Sequence, residues 1–196
     1  RTNMHHLTKL FSILELTRHQ LQTGYILGGV RKEQLSTLAE HHYLVALIAW
    51  QLARSANRVG AHLNIERVLE FALVHDVGEL FGGDISGPYA KVNRRAYRAA
   101  KVFELENQRF LAKFFGSDAA HFRSMAKEIL KAKSDEAIIA KVADYLEAIH
   151  FKCSLQQCTK KDVQLAREKT LRYVKTMKDK VARSVLSDFL QRWAKE

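Results

Sequence analysis

The sequence predicts an all-α fold. Apolar residues recur at steps of three and four along most of the 196 residues, alternating strand patterns are nearly absent, and the chain contains 1 Pro. With 47% hydrophobic residues, a chain of this length can bury a sizeable core without disulfide bonds. We therefore expect one compact domain that spans residues 1–196 and is built from amphipathic helices.

Capping residues and turn-favouring residues separate the predicted helices. Ser36 or Thr37 can cap a helix that carries Glu40 at the spacing of a capping box, and Asn64 can cap the next helix. Two segments that contain Gly are predicted to be loops, namely residues 25–34 and 81–90. The helices are predicted at about residues 4–21, 38–55, 65–75, 94–115, 119–131, 135–151, 161–176 and 181–193.

The charge of the chain is strongly positive and unevenly distributed. Lys and Arg number 32 against 21 Asp and Glu, a net charge of +11, which favours anionic partners such as phosphates, nucleotides or nucleic acid. Residues 152–196 hold 12 basic and 5 acidic side chains, whereas residues 68–90 contain four acidic side chains and no Lys or Arg. We expect the basic C-terminal helices to form a solvated face, with nucleic-acid binding as the less favoured alternative.

Cysteine usage and hydropathy bear on the cellular compartment. Cys153 and Cys158 are separated by four residues, which matches neither a C-x-x-C redox motif nor a zinc-binding spacing. We expect reduced thiols in a cytoplasmic protein. No apolar run approaches the roughly 20 residues that a membrane span needs, and no secretory signal pattern opens the chain, so no membrane association is predicted.

Two histidines fall on the inward faces of predicted helices. His41 belongs to an apolar series at steps of three and four, and His75 ends the following helix in the same rhythm. Asp76 follows His75 directly, and Glu79 and Asp84 come within the next eight residues. On one continuous helix, Glu79 would neighbour both His75 and Asp76, so these side chains can converge on one site.

Asp144 lies in a predicted helix that is apolar on nearly every side. A buried carboxylate without compensation costs several kcal/mol, and a divalent metal is the simplest compensation. A Lys or Arg from another helix is an alternative, whereas Lys141 is expected to point elsewhere. A single inward His or Asp is more often an ordinary core residue or an ion-pair partner. The combination of His41, His75-Asp76 and Asp144 is what indicates a metal site.

These residues, in the order H…HD…D, resemble the HD-domain metal-dependent phosphohydrolases, and more closely their 5′-deoxynucleotidase-like branch. The resemblance extends over about residues 10–151, with the C-terminal helices at 152–196 outside it. Four motifs carry it: Leu38-Ala39-Glu40-His41 is similar to V-A-E-H, His75-Asp76-Val77-Gly78-Glu79 to H-D-x-x-E, Gly83-Asp84-Ile85 to G-D-[IL], and Lys141-Val142-Ala143-Asp144 to K-x-A-D.

The resemblance implies a single HD-domain helical bundle that binds one divalent ion. It implies Glu79 as the catalytic acid or base, and Asp84 as a residue that orients water or the leaving group and sugar. Two imidazoles and two carboxylates suit Mn, Fe, Co, Ni or Zn comparably, and Mg is also considered. The implied metal ligands are His41, His75, Asp76 and Asp144.

The substrate-binding residues are harder to assign, because the loop before the E-H motif departs from the bacterial enzymes. Those enzymes carry an Arg-Trp pair there, and the matching segment here is Thr23-Gly24-Tyr25. Tyr25 can supply a stacking face or simply pack the loop. Gly24 supplies no charge, so a cation for the phosphate must come from Arg31, Lys32 or Lys91.

The function that the resemblance implies is removal of the 5′-phosphate from (deoxy)ribonucleoside monophosphates by a metal-activated water, with a nucleotide substrate and a homodimeric assembly. Two alternatives remain open. One is a nucleotide triphosphohydrolase or phosphodiesterase that uses the same site. The other is a non-catalytic, basic nucleic-acid-binding module with a structural metal.

Overall fold

The computed structural model describes residues 4–193. Within these residues every regular element is a helix, apart from an isolated bridge between Leu21 and Thr37. The prediction of an all-α fold is therefore confirmed. The α-helices are α1 (His6–Leu14), α2 (Leu38–Arg58), α3 (Ile65–Val74), α4 (Gly87–Val92), α5 (Arg94–Ala112), α6 (Ala119–Lys131), α7 (Asp135–Ser154), α8 (Lys160–Val174) and α9 (Lys180–Arg192).

The chain forms two compact units, each assembled from two stretches of sequence. The first unit combines Arg1–His42 with Asp76–Ala126, and within it α5 packs against the short 3₁₀ turn Val77–Glu79 and against α4. The second unit combines Tyr43–His75 with Lys127–Glu196, and within it α3 packs on α7, α7 on α8, and α8 on α9. The single domain expected from the sequence stays a prediction.

Helix α7 supplies much of the core of the second unit. The four consecutive side chains from Ala137 to Ala140 are fully excluded from solvent, and Val142, Ala143 and Leu146 are also buried. Burial of a Val, Leu or Ile side chain contributes about 1.5–3 kcal/mol relative to its exposure. Asp144 follows these core residues on the same helix but is itself half-buried, with 17% of its side chain exposed, so the full burial that its apolar sequence context predicts is not observed.

The N-terminus of α2 is fixed by a capping box. The Thr37 N–H donates to the Glu40 carboxylate over 2.7 Å, and the Glu40 N–H donates to Thr37 Oγ1 over 3.2 Å. These hydrogen bonds, led by that of the Thr37 N–H, hold the pKa of Glu40 below its usual value. Asn64 caps α3 by accepting the N–H of Arg67. Both predicted helix starts are confirmed, with Thr37 rather than Ser36 as the cap.

The predicted and observed elements differ mainly before residue 38 and after residue 80. The first α-helix ends at Leu14 and continues as the 3₁₀ segment Glu15–Arg18, and the predicted loop at residues 25–34 also contains 3₁₀ turns. The prediction that residues 81–90 form an irregular loop was wrong in its second half. Pro88 lies in the first turn of α4, where a missing N–H costs nothing and its fixed φ suits a helix. The other predicted helices agree with the observed ones within three residues at each end.

Two features bear on the expected compartment. Cys153 and Cys158 are both free thiols. Among residues 4–193, no helix is both long enough and apolar enough to cross a membrane.

Two aspartates join the helix starts of the second unit. Asp135, in the first turn of α7, accepts the N–H of Asp179 over 2.7 Å. Asp179 in turn caps α9 by accepting the N–H groups of Val181 and Ala182, both over 2.9 Å, and it also accepts the N–H of His62 over 2.8 Å. The Asp179 carboxylate thus satisfies three backbone donors that would otherwise lose their partners.

Asp179→Ala should lower the free energy of unfolding by about 1–2 kcal/mol at pH 7, because it removes a helix cap. The N–H groups of Ala182 and His62 hold the pKa of Asp179 below its usual value. Such a carboxyl contributes stability above its unfolded pKa of about 3.9 and loses that contribution as the pH falls through the lower folded-state pKa. Urea unfolding should therefore show a smaller difference between variant and wild type at pH 3 than at pH 7.

Asp188→Ala is the matched control, since Asp188 is an exposed residue near the C-terminal end of the same helix. A carboxylate there is not favoured by the helix dipole, so the substitution should be neutral or slightly stabilising. An Asp179→Ala penalty that is equal at pH 3 and pH 7 would contradict the electrostatic origin of the effect.

Candidate metal centre

His41 lies in the first turn of α2, directly after the residues of the capping box. Its ring is buried, with 1% of the residue exposed. His41 Nε2 lies 3.5 Å from Asp76 Oδ2. The inward orientation predicted from the apolar stripe is thus confirmed, and the imidazole faces a carboxylate.

His75 is held in a defined orientation by the helix that precedes it. Its Nδ1 lies 2.8 Å from the carbonyl oxygen of Ala72, and because a carbonyl can only accept, Nδ1 carries the proton. In the neutral imidazole Nε2 then carries the lone pair, and it lies 4.0 Å from Asp144 Oδ1. Metal-binding imidazoles commonly have one ring nitrogen donating to a backbone carbonyl in this way.

The chain leaves the helical conformation between His75 and Asp76. Helix α3 ends at Val74, His75 is still helical with φ −57° and ψ −39°, and Asp76 has φ −116° and ψ 13°. The predicted end of this helix near His75 is thus observed, and the helical spacing that would make Glu79 a neighbour of His75 and Asp76 does not apply. Glu79 lies instead at the end of the 3₁₀ turn Val77–Glu79, where its N–H donates to the Asp76 carbonyl oxygen over 2.8 Å.

The four predicted metal ligands form one cluster, to which each contributes one possible ligand atom. These atoms lie within 4.8 Å of one another, and two of the residues are buried while two are half-buried. Two imidazole nitrogens and two carboxylate oxygens form a donor set that fits a divalent transition metal or zinc. The group consists of His41, His75, Asp76 and Asp144.

Asp144 has an additional partner that the sequence analysis excluded. Lys141 Nζ lies 3.0 Å from Asp144 Oδ2, so the expectation that Lys141 points elsewhere was wrong. Residues three apart on a helix lie on the same face, and the long Lys side chain can fold back over that distance. Lys141 compensates one carboxylate oxygen, while the other oxygen of Asp144 faces His75.

Glu79 lies among several other acidic side chains. Burial raises the pKa of Glu79 well above its usual value, and the negative charges of Asp76, Asp84 and Glu104 raise it further. Lys101 opposes this effect in part. The carboxyl of Glu79 therefore keeps a proton at a higher pH than an exposed glutamate does.

Asp84 is fixed by the segment that contains Gly24. The Gly24 N–H donates to Asp84 Oδ2 over 2.6 Å, and Thr23 Oγ1 donates to the Asp84 carbonyl oxygen over 3.1 Å. A Cβ atom on Gly24 would lie 2.5 Å from Asp84 Oδ1. In the sequence alone, Gly24 indicates only a missing charge. Its contact with Asp84, which lies 60 residues away, carries no local sequence signal.

The expected substrate-binding residues are spread over three elements. Tyr25 is half-buried in the 3₁₀ segment Thr23–Gly28, which packs against α4, the helix that carries Lys91. Arg31 and Lys32 are exposed, and Arg31 Nε donates to Gln34. A groove of about 490 Å³ lies beside these segments, and none of the three expected cations lines it. Its lining residues are Thr23, Ile26, Leu27, Gly29, Ile85, Ser86 and Tyr89.

Helix α5 contributes polar residues that the sequence analysis missed. Glu104 is buried and forms an ion pair with Lys101, and Asn107 Nδ2 donates to the Gly78 carbonyl oxygen over 2.8 Å. A signal for them exists, because Glu104, Asn107 and Leu111 follow one another at steps of three and four. Polar side chains on the inward stripe of an amphipathic helix indicate partners that need hydrogen bonds.

Comparison with known proteins identifies similar sequences. The chain is 34% identical over 131 residues to the 5′-deoxynucleotidase YfbR of Salmonella typhi, which covers 65% of this chain and 63% of that protein. It is 33% identical over 102 residues to the 5′-deoxynucleotidase PM0747 of Pasteurella multocida strain Pm70, covering 52% of this chain and 49% of the relative. The chain thus matches about half to two thirds of the length of these curated relatives.

Comparison of folds identifies two archaeal proteins. A conserved hypothetical protein from Pyrococcus furiosus has a TM-score of 0.65 at 20% identity, covering 94% of this chain and 99% of that one. The PH0347 protein from Pyrococcus horikoshii OT3 has the same TM-score at 19% identity, covering 94% and 98%. At this identity the likeness concerns the fold alone.

The family assignment rests on a match that covers most of the chain. The HD domain family matches residues 14–185, a range that includes the four candidate ligands, Glu79 and Asp84. The H…HD…D pattern that defines the resemblance coincides with the group of ligand atoms described above. The chain therefore belongs to the HD-domain family.

Proposed function

We propose that this protein is a metal-dependent phosphohydrolase that removes the 5′-phosphate from nucleoside monophosphates, with 2′-deoxyribonucleoside 5′-monophosphates as the preferred class. The observation that carries the proposal is the group of two imidazoles and two carboxylates within 4.8 Å of one another. The names of the bacterial relatives, which are 5′-deoxynucleotidases, support the substrate class. The net charge of +11 is suited to the attraction of an anionic substrate.

Four residues would hold one divalent ion, namely His41, His75, Asp76 and Asp144. When bound, the ion would polarise a phosphoryl oxygen and lower the pKa of a coordinated water. The fixed tautomer of His75 leaves Nε2 as its ligand atom. Lys141 occupies Asp144 Oδ2, so Asp144 would offer Oδ1.

Glu79 would act as the general base and then as the general acid of the reaction. Its carboxylate accepts a proton from the water that attacks phosphorus, and its carboxyl returns a proton to the 5′ oxygen as the P–O bond breaks. The products are a nucleoside and inorganic phosphate. A raised pKa suits this exchange, because it makes the Glu79 carboxylate a stronger base than that of an ordinary glutamate.

Asp84 and the segment around Gly24 would orient the sugar. The Gly24 N–H and the Thr23 hydroxyl restrain Asp84, so its carboxylate keeps a defined position. Tyr25 follows Gly24 directly and offers a ring for stacking. Lys91, Arg31 and Lys32 remain our candidates for the cation that binds the substrate phosphate.

We also propose that the protein acts in the cytoplasm as a homodimer. On α2, Tyr43, Leu47 and Trp50 follow one another at steps of four and three and are 64%, 43% and 38% exposed. An exposed apolar stripe of this kind is typical of a protein–protein contact. Light scattering that gives the mass of one chain at micromolar concentration would contradict the dimer.

Phosphate release from a panel of nucleotides tests the proposed reaction. The metal-stripped protein should be inactive, and Mn, Co or Zn should restore release from nucleoside 5′-monophosphates, with deoxyribonucleotides preferred. Nucleoside triphosphates and a phosphodiester belong in the same panel. Cleavage of either class with monophosphates left intact would replace the nucleotidase assignment by one of those activities. Tight metal binding without any turnover would favour a structural metal.

Substitutions at two kinds of position should separate metal binding from proton transfer. His75→Ala or Asp144→Asn should lose both the bound metal and the activity, because each removes one of four ligands. Glu79→Gln should retain the metal and lose about 10²–10⁴-fold in kcat, the usual contribution of a general acid or base. Metal content by elemental analysis and kcat on a deoxyribonucleotide measure both. Normal turnover in Glu79→Gln would remove its assigned role.

Gly24→Ala should displace Asp84 and lower kcat/KM about tenfold or more, because a Cβ atom would meet Asp84 Oδ1 at 2.5 Å. Metal content should not change, since Gly24 is not among the ligands. Gly28→Ala is the matched control, because no atom lies within 4 Å of a Cβ placed there. Equal kinetics for the two variants would contradict a role of Gly24 in holding Asp84.

A further inference from the structure

Both polar groups of the peptide that joins Gly78 to Glu79 form hydrogen bonds. Its N–H, which belongs to Glu79, donates to the Asp76 carbonyl oxygen over 2.8 Å. Its carbonyl, which belongs to Gly78, accepts a hydrogen bond from Asn107 Nδ2 over 2.8 Å. Asn107 comes from α5, 29 residues further along the chain. The orientation of this peptide plane fixes the Cα position from which the Glu79 side chain starts.

The surface of α5 also limits how far the turn can move. Gly78 is buried against the helix so closely that a Cβ atom would lie 2.7 Å from the Glu104 carbonyl oxygen and 2.8 Å from Gln108 Cγ. Its neighbour Val77 is buried too, with 4% of the residue exposed. The turn therefore cannot shift toward α5, and the hydrogen bond from Asn107 opposes a shift away from it.

Asn107 itself is built into this contact. The residue is 7% exposed, and its amide is directed at a buried carbonyl rather than at solvent. A buried carbonyl that loses its donor must find another partner or reorient, since unpaired buried polar groups are rare. Removal of the Asn107 amide should thus move the peptide that carries Glu79.

We propose that Asn107 is a positioning residue that sets the location of Glu79 through the Gly78 carbonyl. This inference rests on the proposed function for its catalytic consequence. Misplacement of a reacting group by about 1 Å can lower a rate by roughly 10²-fold. Asn107 is not one of the four candidate ligands, so its loss should affect turnover rather than binding.

Amide hydrogen exchange tests whether Asn107 stabilises the turn Val77–Glu79, and it requires no enzymatic activity. Asn107→Leu keeps the number and branching of the side-chain heavy atoms and removes the donor. In this variant the Glu79 amide should exchange at least about tenfold faster than in wild type, because the turn that protects it is loosened. Asn57→Leu is the matched control. The side chain of Asn57 also forms hydrogen bonds with the backbone, since its Nδ2 donates to the Leu63 carbonyl oxygen and its Oδ1 accepts the Leu63 N–H. Asn57 belongs to the second unit, whereas Glu79 belongs to the first.

Kinetics on a deoxyribonucleoside 5′-monophosphate with metal present test the catalytic consequence. Asn107→Leu should lower kcat by about 10- to 100-fold, with KM within about twofold of wild type and full metal content. In a Glu79→Gln background the same substitution should cause no further loss, because both act through one group. Asn57→Leu should lower stability and leave kcat unchanged.

The outcomes separate this inference from the proposed function. An unchanged Glu79 exchange rate in Asn107→Leu overturns the inference, whether or not the protein is an enzyme. Faster exchange with normal kcat also overturns it, because Glu79 would then not depend on the turn. A wild-type protein that releases no phosphate overturns the proposed function, and the exchange rate still decides whether Asn107 holds the turn.

Discussion

Helix α3 stops after Val74, and the chemistry of the candidate site depends on that point. His75 remains close enough to the helix for its Nδ1–H to donate a hydrogen bond to the Ala72 carbonyl oxygen, while Asp76 has already turned away from the helical path. Two adjacent residues, which would diverge by about 100° on a continuous helix, can in this way both face one ion. The short 3₁₀ turn that follows brings Glu79 back beside Asp76. A longer α3 would carry the same residues but would not assemble them.

The surroundings of Glu79 are rich in negative charge, although the chain as a whole is positive. The protein has a net charge of +11, yet Asp76, Asp84 and Glu104 all raise the pKa of Glu79. Several carboxylates close together repel a phosphate, so the region by itself is a poor anion-binding site. A divalent cation held by the His and Asp ligands would offset this negative charge, and this would give metal dependence a physical reason beyond the chemistry of water activation.

Periodicity and capping were sufficient to predict most of the helices and the burial of both histidines, because these properties depend on residues that are close in sequence. Thr37, Glu40 and Asn64 act within three residues of their partners. The contacts of Gly24 with Asp84 and of Asn107 with Gly78 join residues 60 and 29 positions apart, and no local pattern encodes such pairs. Lys141 was misjudged for another reason. Its spacing to Asp144 was visible, but a side chain of four methylene groups reaches more directions than its position on the helix suggests.

The close approach of Gly24 to Asp84 also limits how this protein can change. Any side chain at position 24 would occupy the space of the Asp84 carboxylate, so an arginine cannot be added there while Asp84 keeps its place. A positive charge gained on α4 or in the exposed segment around Arg31 would leave the contact between Gly24 and Asp84 intact. In directed evolution of this scaffold, position 24 should stay fixed while its surroundings are diversified.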